Sequence, residues 1–127
     1  MLVVGNILGR KTGGATGGIS FPLLENSNTI AEGSNGVENK TKFEFDVSNF
    51  STLYFEKVGF ENSYNNHAYI YGDETKIYEK LLATGTNEYN GDALDISSYS
   101  KVTIELRTYH TTGPIPNRTY LKGVTIS

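Results

Sequence analysis

The stretch Phe45-Asp46-Val47-Ser48-Asn49-Phe50-Ser51-Thr52-Leu53-Tyr54-Phe55 returns as Leu94-Asp95-Ile96-Ser97-Ser98-Tyr99-Ser100-Lys101-Val102-Thr103-Ile104. Both copies read apolar, Asp, β-branched, Ser, any, aromatic, Ser, any, apolar, any, apolar. Each part of the pattern has a physical cause. Short Asp and Ser side chains bond the backbone through a tight turn and so end a strand. The aromatic residue is expected to enter the core, and the alternation after it has the period of a half-buried strand. Two copies of strand, turn, plug and strand point to a β-sandwich rather than an enzyme barrel. Phe50 and Tyr99 are expected at equivalent places, each just ahead of a central strand.

Strand signals spread outward from both copies. Phe43, Phe45 and Val47 alternate with Lys42, Glu44 and Asp46, and Leu53 and Phe55 alternate with Tyr54 and Glu56. Ala68-Tyr69-Ile70-Tyr71, a Gly72-Asp73-Glu74 connection and Lys76–Leu81 read as a hairpin. Ile77, Leu81 and Leu82 also fit one face of a short helix from Asp73; the tyrosines and the tight connection favour strand. Ala93–Ile96 is a short strand, Val102, Ile104 and Leu106 alternate with Thr103, Glu105 and Arg107, and Tyr120–Ile126 closes the chain. About eight short antiparallel strands with polar turns predict an all-β, single-domain jelly-roll sandwich.

Length and composition set bounds. A chain of 127 residues is one domain, large enough for a core without staples. The reading is a sandwich over 18–127 with a Gly-rich arm or loop over 1–17. Eight of the fourteen glycines fall in residues 1–36, around Gly13-Gly14-Ala15-Thr16-Gly17-Gly18. That region is a loop with an edge strand at Gly18–Phe21, or an arm that docks on another subunit. Cysteine is absent, which removes disulfides, thiolate zinc sites and thiol nucleophiles. A net charge of −3 without a basic stripe argues against nucleic acid. No apolar run has the length of a membrane span, so no insertion is expected. Met1-Leu2-Val3-Val4 before Gly5-Asn6 is too short for a signal h-region, which suggests a mature fragment or export by another route such as virion assembly.

At the hairpin a family resemblance emerges. The segments Gly18–Phe21, Phe43–Ser48, Tyr54–Gly59, Tyr69-Ile70-Tyr71-Gly72-Asp73-Glu74, Ile77-Tyr78-Glu79, Leu94–Tyr99 and Val102–Leu106 follow one another in the order of a known family. The chain resembles the NPCBM family of carbohydrate-binding modules, galactose-binding-like jelly rolls that carry a Val-Tyr-Gly-Asp-Gly hairpin. The match covers most of the chain, through motifs that mostly build the fold. One departure stands out. Family members commonly place an acid and a Trp shortly before the last strand, where this chain has Thr111–Tyr120 with neither. Tyr120 is the ring left to serve as a platform there. The resemblance implies a non-catalytic glycan-binding or adhesion module. Such modules accompany glycosidases and surface proteins, and similar jelly rolls occur in tails and baseplates of phages of Gram-positive bacteria. The implied setting is extracellular, on a virion or bacterial surface, with a glycan as partner and other virion or surface subunits beside it. The rival reading is a structural virion protein with no sugar site.

The candidate chemistry is polar and aromatic. Glu44, Glu56, Glu79 and Glu105 alternate outward on strands, as solvated faces do, so no paired catalytic carboxylates and no enzyme are expected. His67 and His110 have no partner at ligand spacing, which argues against zinc. No cofactor is expected beyond a structural calcium, for which Asp92, Asp95 and Glu32 are donors; Asp95 is better explained by its turn. The binding residues are expected in loops at one end of the sandwich: Tyr64-Asn65-Asn66-His67, Tyr109-His110 and, nearby, Tyr89-Asn90. Ring faces there would pack on the apolar face of a sugar while amides and imidazoles bond its hydroxyls.

Overall fold

The computed structural model describes the backbone of residues 28–33, 38–109 and 117–127, with the side chains of 40–61, 66–81, 85–108 and 118–127. The expected arm over 1–17, the strand at 18–21 and His110 lie outside the described residues. Among the described residues there are seven strands and no helix: β1 (Asn28–Gly33), β2 (Glu38–Asp46), β3 (Thr52–Gly72), β4 (Thr75–Asp95), β5 (Lys101–Tyr109), β6 (Asn117–Lys122) and β7 (Thr125–Ile126). The segment after Asp73 is therefore strand, as its tyrosines suggested.

Two of these strands are far longer than expected. β3 and β4 each run for 21 residues and pair with one another from Thr52↔Asp95 to Gly72↔Thr75. The polar stretches in their middle read as turns in the sequence. They are instead the corner of a continuous ribbon: the register shifts between Phe60 and Ser63, and Ser63 faces Gly85, whose φ of 100° suits glycine. Polarity there marks a bend rather than an end to pairing.

The bend creates two antiparallel layers. In the first, β1 pairs with β6, β6 with Lys57–Glu61 of β3, and that half of β3 with the second half of β4; β7 pairs with Leu53 and Tyr54 along the same edge of β3. In the second, β2 pairs with β5, β5 with His67–Gly72 of β3, and that half of β3 with the first half of β4. β1 and β6 of the first layer also lie against β5 of the second. One contiguous apolar cluster drawn from both layers fills the space between them, including Phe45, Leu53, Phe55, Phe60, Ile70, Ile104 and Leu121. Fully burying a side chain of this size contributes about 1.5–3 kcal/mol.

The two echo turns are built alike and bonded to each other. Asp46 Oδ1 accepts from the Ser48 N–H at 2.9 Å and from its hydroxyl at 2.7 Å, and Asp95 Oδ1 does the same for Ser97 at 2.9 and 2.6 Å. The Phe50 N–H then donates to Val47 O, and the Tyr99 N–H to Ile96 O. Across the gap, the Val47 N–H donates to Ser100 O and the Ile96 N–H to Ser51 O, both at 2.8 Å. Each copy therefore carries the chain from one layer to the other, and an approximate two-fold relates them: Phe45 faces Val102 as Leu94 faces Leu53.

The β3–β4 hairpin tip docks on the second turn. Asp73, at φ 51°, donates its N–H to Lys101 O at 2.8 Å, while its Oδ1 accepts the N–H groups of Ser100 and Lys101 at 3.2 and 3.1 Å. Gly72 leaves room for the Tyr99 ring, which a Cβ would meet at 2.3 Å. The Tyr-Gly-Asp motif is thus a docking device.

The plugs are equivalent in place but not in depth. Phe50 is 4% exposed, whereas Tyr99 is half-buried against the core. Phe50→Ala should cost about 3–5 kcal/mol, and Tyr99→Ala clearly less. Urea unfolding monitored by circular dichroism checks this, and equal losses would contradict the difference in depth.

Candidate functional site

The outer face of the second layer gathers three half-buried rings. Successive residues of a strand point to opposite faces. Ala68 and Ile70 enter the core, so His67, Tyr69 and Tyr71 stand outward in a row. His67 stacks on Tyr69 with centroids 5.3 Å apart and planes 19° apart, and Tyr69 meets Tyr71 edge to face at 6.2 Å. Beside the row on β4, Leu81 lies opposite His67 and is 52% exposed, and Lys76 holds its ammonium 4.5 Å from the Tyr69 ring centre. Leu81 is an exposed apolar side chain of this face, whereas the stacked faces of His67 and Tyr69 cover each other.

Those neighbours come from β5 and β2. Val102, Ile104 and Leu106 are buried, which turns Thr103, Glu105 and Arg107 outward, opposite Tyr71, Tyr69 and His67 respectively. Lys42 and Glu44 follow on β2. Ion pairs tie the face together: Lys42 to Glu105 at 3.7 Å, Lys101 to Glu44 at 4.0 Å and Lys76 to Glu79 at 3.4 Å. A cleft of about 250 Å³ opens where Tyr71, Thr103, Glu105, Lys42, Glu44 and the hairpin tip converge. Chemically the face offers ring planes, a hydroxyl, carboxylates and cationic donors, in reach of one another.

The residues singled out in the sequence fall elsewhere, with one exception. Tyr64-Asn65-Asn66-His67 is not a loop; it lies within β3, where the strand changes layers. The backbones of Tyr64 and Asn65 sit at the end opposite the echo turns, as does that of Tyr109, the last residue of β5; their side chains are outside the described residues. Asn66 is fully buried, and its Nδ2 donates to Arg118 O at 3.2 Å, closing the split between β5 and β6 together with the Thr119 hydroxyl on Arg107 O. Tyr89 and Asn90 are in β4 of the first layer. The Tyr89 ring packs edge-on to Phe60 and beneath Lys80, and Asn90 accepts from Lys57 Nζ at 2.8 Å. Only His67 belongs to the ring row. Tyr69 and Tyr71 read only as hairpin in the sequence; the signal that they share a face with His67 was their alternate spacing.

Tyr120, the expected platform, is a packing residue. It is 7% exposed and lies across Gly59, where a Cβ would meet the ring at 2.1 Å. Its hydroxyl donates to Glu88 Oε2 at 2.8 Å, and Lys122 pairs with the same carboxylate at 2.9 Å. The Lys122 and Tyr120 bonds hold the Glu88 carboxyl below the usual range. Burial, then the bond to Glu88, pushes the Tyr120 hydroxyl up to about 12.

Among the described residues no three His, Asp or Glu side chains gather as metal ligands. Of the expected calcium donors, Asp95 is engaged by Ser97, Asp92 Oδ1 accepts the Ala93 N–H at 2.8 Å, and the Glu32 side chain is outside the described residues. The Ser97 bonds lower the Asp95 pKa. No helix is long and apolar enough to cross a membrane among the described residues. No protein-family model matches this chain, and no curated protein is recognisably similar to it in sequence.

The Tyr120 arrangement predicts an alkaline behaviour. A raised hydroxyl pKa keeps its proton in the fold while the unfolded chain releases it, so this contribution is whole below the ordinary tyrosine value and is lost as pH rises through about 12. In an ultraviolet titration the last tyrosine to ionise should be absent from Tyr120→Phe. Identical titration curves for the two proteins would contradict it.

Proposed function

We propose that this chain is a non-catalytic glycan-binding or adhesion module, and that the row His67, Tyr69 and Tyr71 is its binding surface. The carrying observation is three outward rings on one strand, flanked by a half-exposed leucine and by Thr103, Glu105 and Arg107 on the next strand. Leu81 and the outward edges of the rings offer apolar contact to a sugar, and the flanking side chains suit its hydroxyls. The site is thus a sheet face rather than the loop cluster expected from sequence. It runs toward the end where the backbones of Tyr64, Asn65 and Tyr109 lie.

We further read the fold as a jelly roll. Counting each half of β3 and β4 separately, and leaving aside the two-residue β7 that pairs with β3, gives eight segments, four to a layer, in the orders β1–β6–β3–β4 and β2–β5–β3–β4. That order supports a jelly-roll reading, in keeping with the resemblance to carbohydrate-binding modules. The non-catalytic reading is supported by the acids of the face. Glu44, Glu79 and Glu105 are held in ion pairs, and Asp73 is spent on backbone N–H groups. Among the described residues the carboxyls with shifted pKa, Glu88 and Asp95, are shifted downward, opposite to what a general acid needs. The reading needs no cofactor.

An open, solvent-washed face of this kind binds weakly as a monomer, with Kd of roughly 0.1–1 mM. Adhesion then comes from repetition of the module on a virion or bacterial surface. A glycan array probed with a clustered form tests this. Binding to a cell-surface polysaccharide is expected, falling at least about tenfold in Tyr69→Ala and Tyr71→Ala. Silence across the array, or binding untouched by both substitutions, would refute it.

A further inference from the structure

We infer that β2 is a docking edge for a second copy of this chain, the two β2 strands pairing antiparallel about a two-fold axis at Phe43. The inference does not depend on the glycan-binding reading. β2 closes one side of the second layer, and among the described residues β5 is the only strand that pairs with it. One bond fixes where its backbone groups point. The Val47 N–H donates to Ser100 O in continuation of the β2–β5 register, so alternation also turns the backbone groups of Phe45, Phe43 and Thr41 toward β5. Those of Lys40, Lys42 and Glu44 point the other way, along the outer edge. The Asp73 N–H on Lys101 O shows the same alternation within β5, where Lys101 turns toward β3.

Charge decides the occupant. Lys40, Lys42, Glu44 and Asp46 stand exposed on one face of β2, two cations followed by two anions, with Phe43 at the midpoint. Read backwards, that order is its own complement. With the axis at Phe43, Lys42 lies opposite Glu44 of the second copy and Lys40 opposite its Asp46, and the symmetry repeats both pairs. Residues 40, 42 and 44 are also those with edge-directed backbone groups, so this register makes ladder bonds as well. Within one copy Lys42 meets Glu105 at 3.7 Å and Glu44 meets Lys101 at 4.0 Å, and docking extends both into a row of alternating sign. Neighbouring registers fail. An axis at Lys42 sets two lysines face to face, and one at Glu44 sets two carboxylates so. An axis at Thr41 opposes Lys40 to Lys42, and one at Phe45 opposes Glu44 to Asp46. Edge charges ordinarily keep other strands away; here they reject those four registers and admit one.

Shape agrees with charge. A cavity of about 420 Å³ lies at the end of this edge, lined by Glu44, Phe45, Asp46, Ser48, Ser100 and Lys101. Its rim holds two carboxylates, one of them also bonded to Ser48, and one ammonium. Lys40 of the second copy, opposite Asp46, supplies the second ammonium. Phe43, packed partly on the core, meets its own twin at the axis. Opposed residues of an antiparallel pair share a face, so the outer faces of the two second layers join. The two rows of His67, Tyr69 and Tyr71 then stand about 24 Å apart on one sheet, at ~4.8 Å per strand.

Sedimentation of the whole protein from about 1 μM to about 1 mM tests this, and a reversible dimer is expected. Lys42→Glu sets carboxylates face to face across the axis, and Glu44→Lys sets ammoniums so. Each alone should weaken the dimer at least about tenfold while keeping the parent's circular dichroism. An equimolar mixture of the two variants should return to within about threefold of the parent, because both central pairs of the mixed dimer are again of opposite sign. The chain has no cysteine, so Phe43→Cys reports on the axis even if a charge variant fails to fold. Opposed residues at a position without ladder bonds have Cα atoms about 4.5 Å apart, within disulfide reach, and oxidation should give a covalent dimer. Thr41→Cys, whose twin lies about 13 Å along the strand, should give none. A monomer throughout the range, a dimer that neither charge variant weakens, or a mixture no stronger than its parts overturns the inference. Equal cross-linking at the two positions overturns it too.

Discussion

Two backbone hydrogen bonds, Val47 N–H to Ser100 O and Ile96 N–H to Ser51 O, clamp the turns that carry the chain between layers. Val47 and Ile96 are wholly buried, so neither donor has water as an alternative. A satisfied bond of this type contributes about 0.5–1.5 kcal/mol net, but an orphaned buried N–H costs ~1–3 kcal/mol. The constraint is therefore mutual. Each turn needs the other in place, and Asp46 and Asp95 hold both in the shape that aims the donors. From this clamp β3 and β5 start side by side in opposite layers, and the apolar cluster fills the gap between them.

The ring row inherits its geometry from the same clamp. Ser100 and Lys101 belong to the second turn and are also the groups that Asp73 grips. The hairpin tip is thereby fixed against β5, and with it the register that sets Tyr71 opposite Thr103 and Tyr69 opposite Glu105. A slip of one residue would turn the rings inward and Ile70 outward. The docked hairpin tip thus decides where the three half-buried rings stand.

Much of the fold was legible because side-chain period reports burial. The echo, the hairpin and the alternation of Val102, Ile104 and Leu106 each became what their pattern implied. The corner of the ribbon was not legible, since Asn62-Ser63-Tyr64-Asn65-Asn66 has turn composition and yet continues the ladder. The candidate site suffered from the same cause. Asn66 looks like a sugar ligand in a polar run, but long-range packing buries it between β5 and β6. Tyr120 looks like a platform, but the missing side chain at Gly59 lets its ring lie flat in the first layer. Tyr69 and Tyr71 look like ordinary strand residues, and only the pairing of β3 with β5 shows what surrounds them.

The order of segments has a consequence for the growing chain. The β3–β4 ribbon joins neighbours in sequence and forms as soon as residues 52–95 are available. Its inner residues, among them Leu53, Phe55, Val58, Phe60 and Ile70, are then open to water. β5 and β6 have still to arrive, and Ser51 and Thr52 donate to the carbonyl of Ser127. Contacts between distant segments are slow to close, and exposed apolar ribbon is prone to capture by other chains in the interval. During synthesis the inner face of the ribbon therefore waits for residues 101–127, which come later in the chain, before it is covered from both layers.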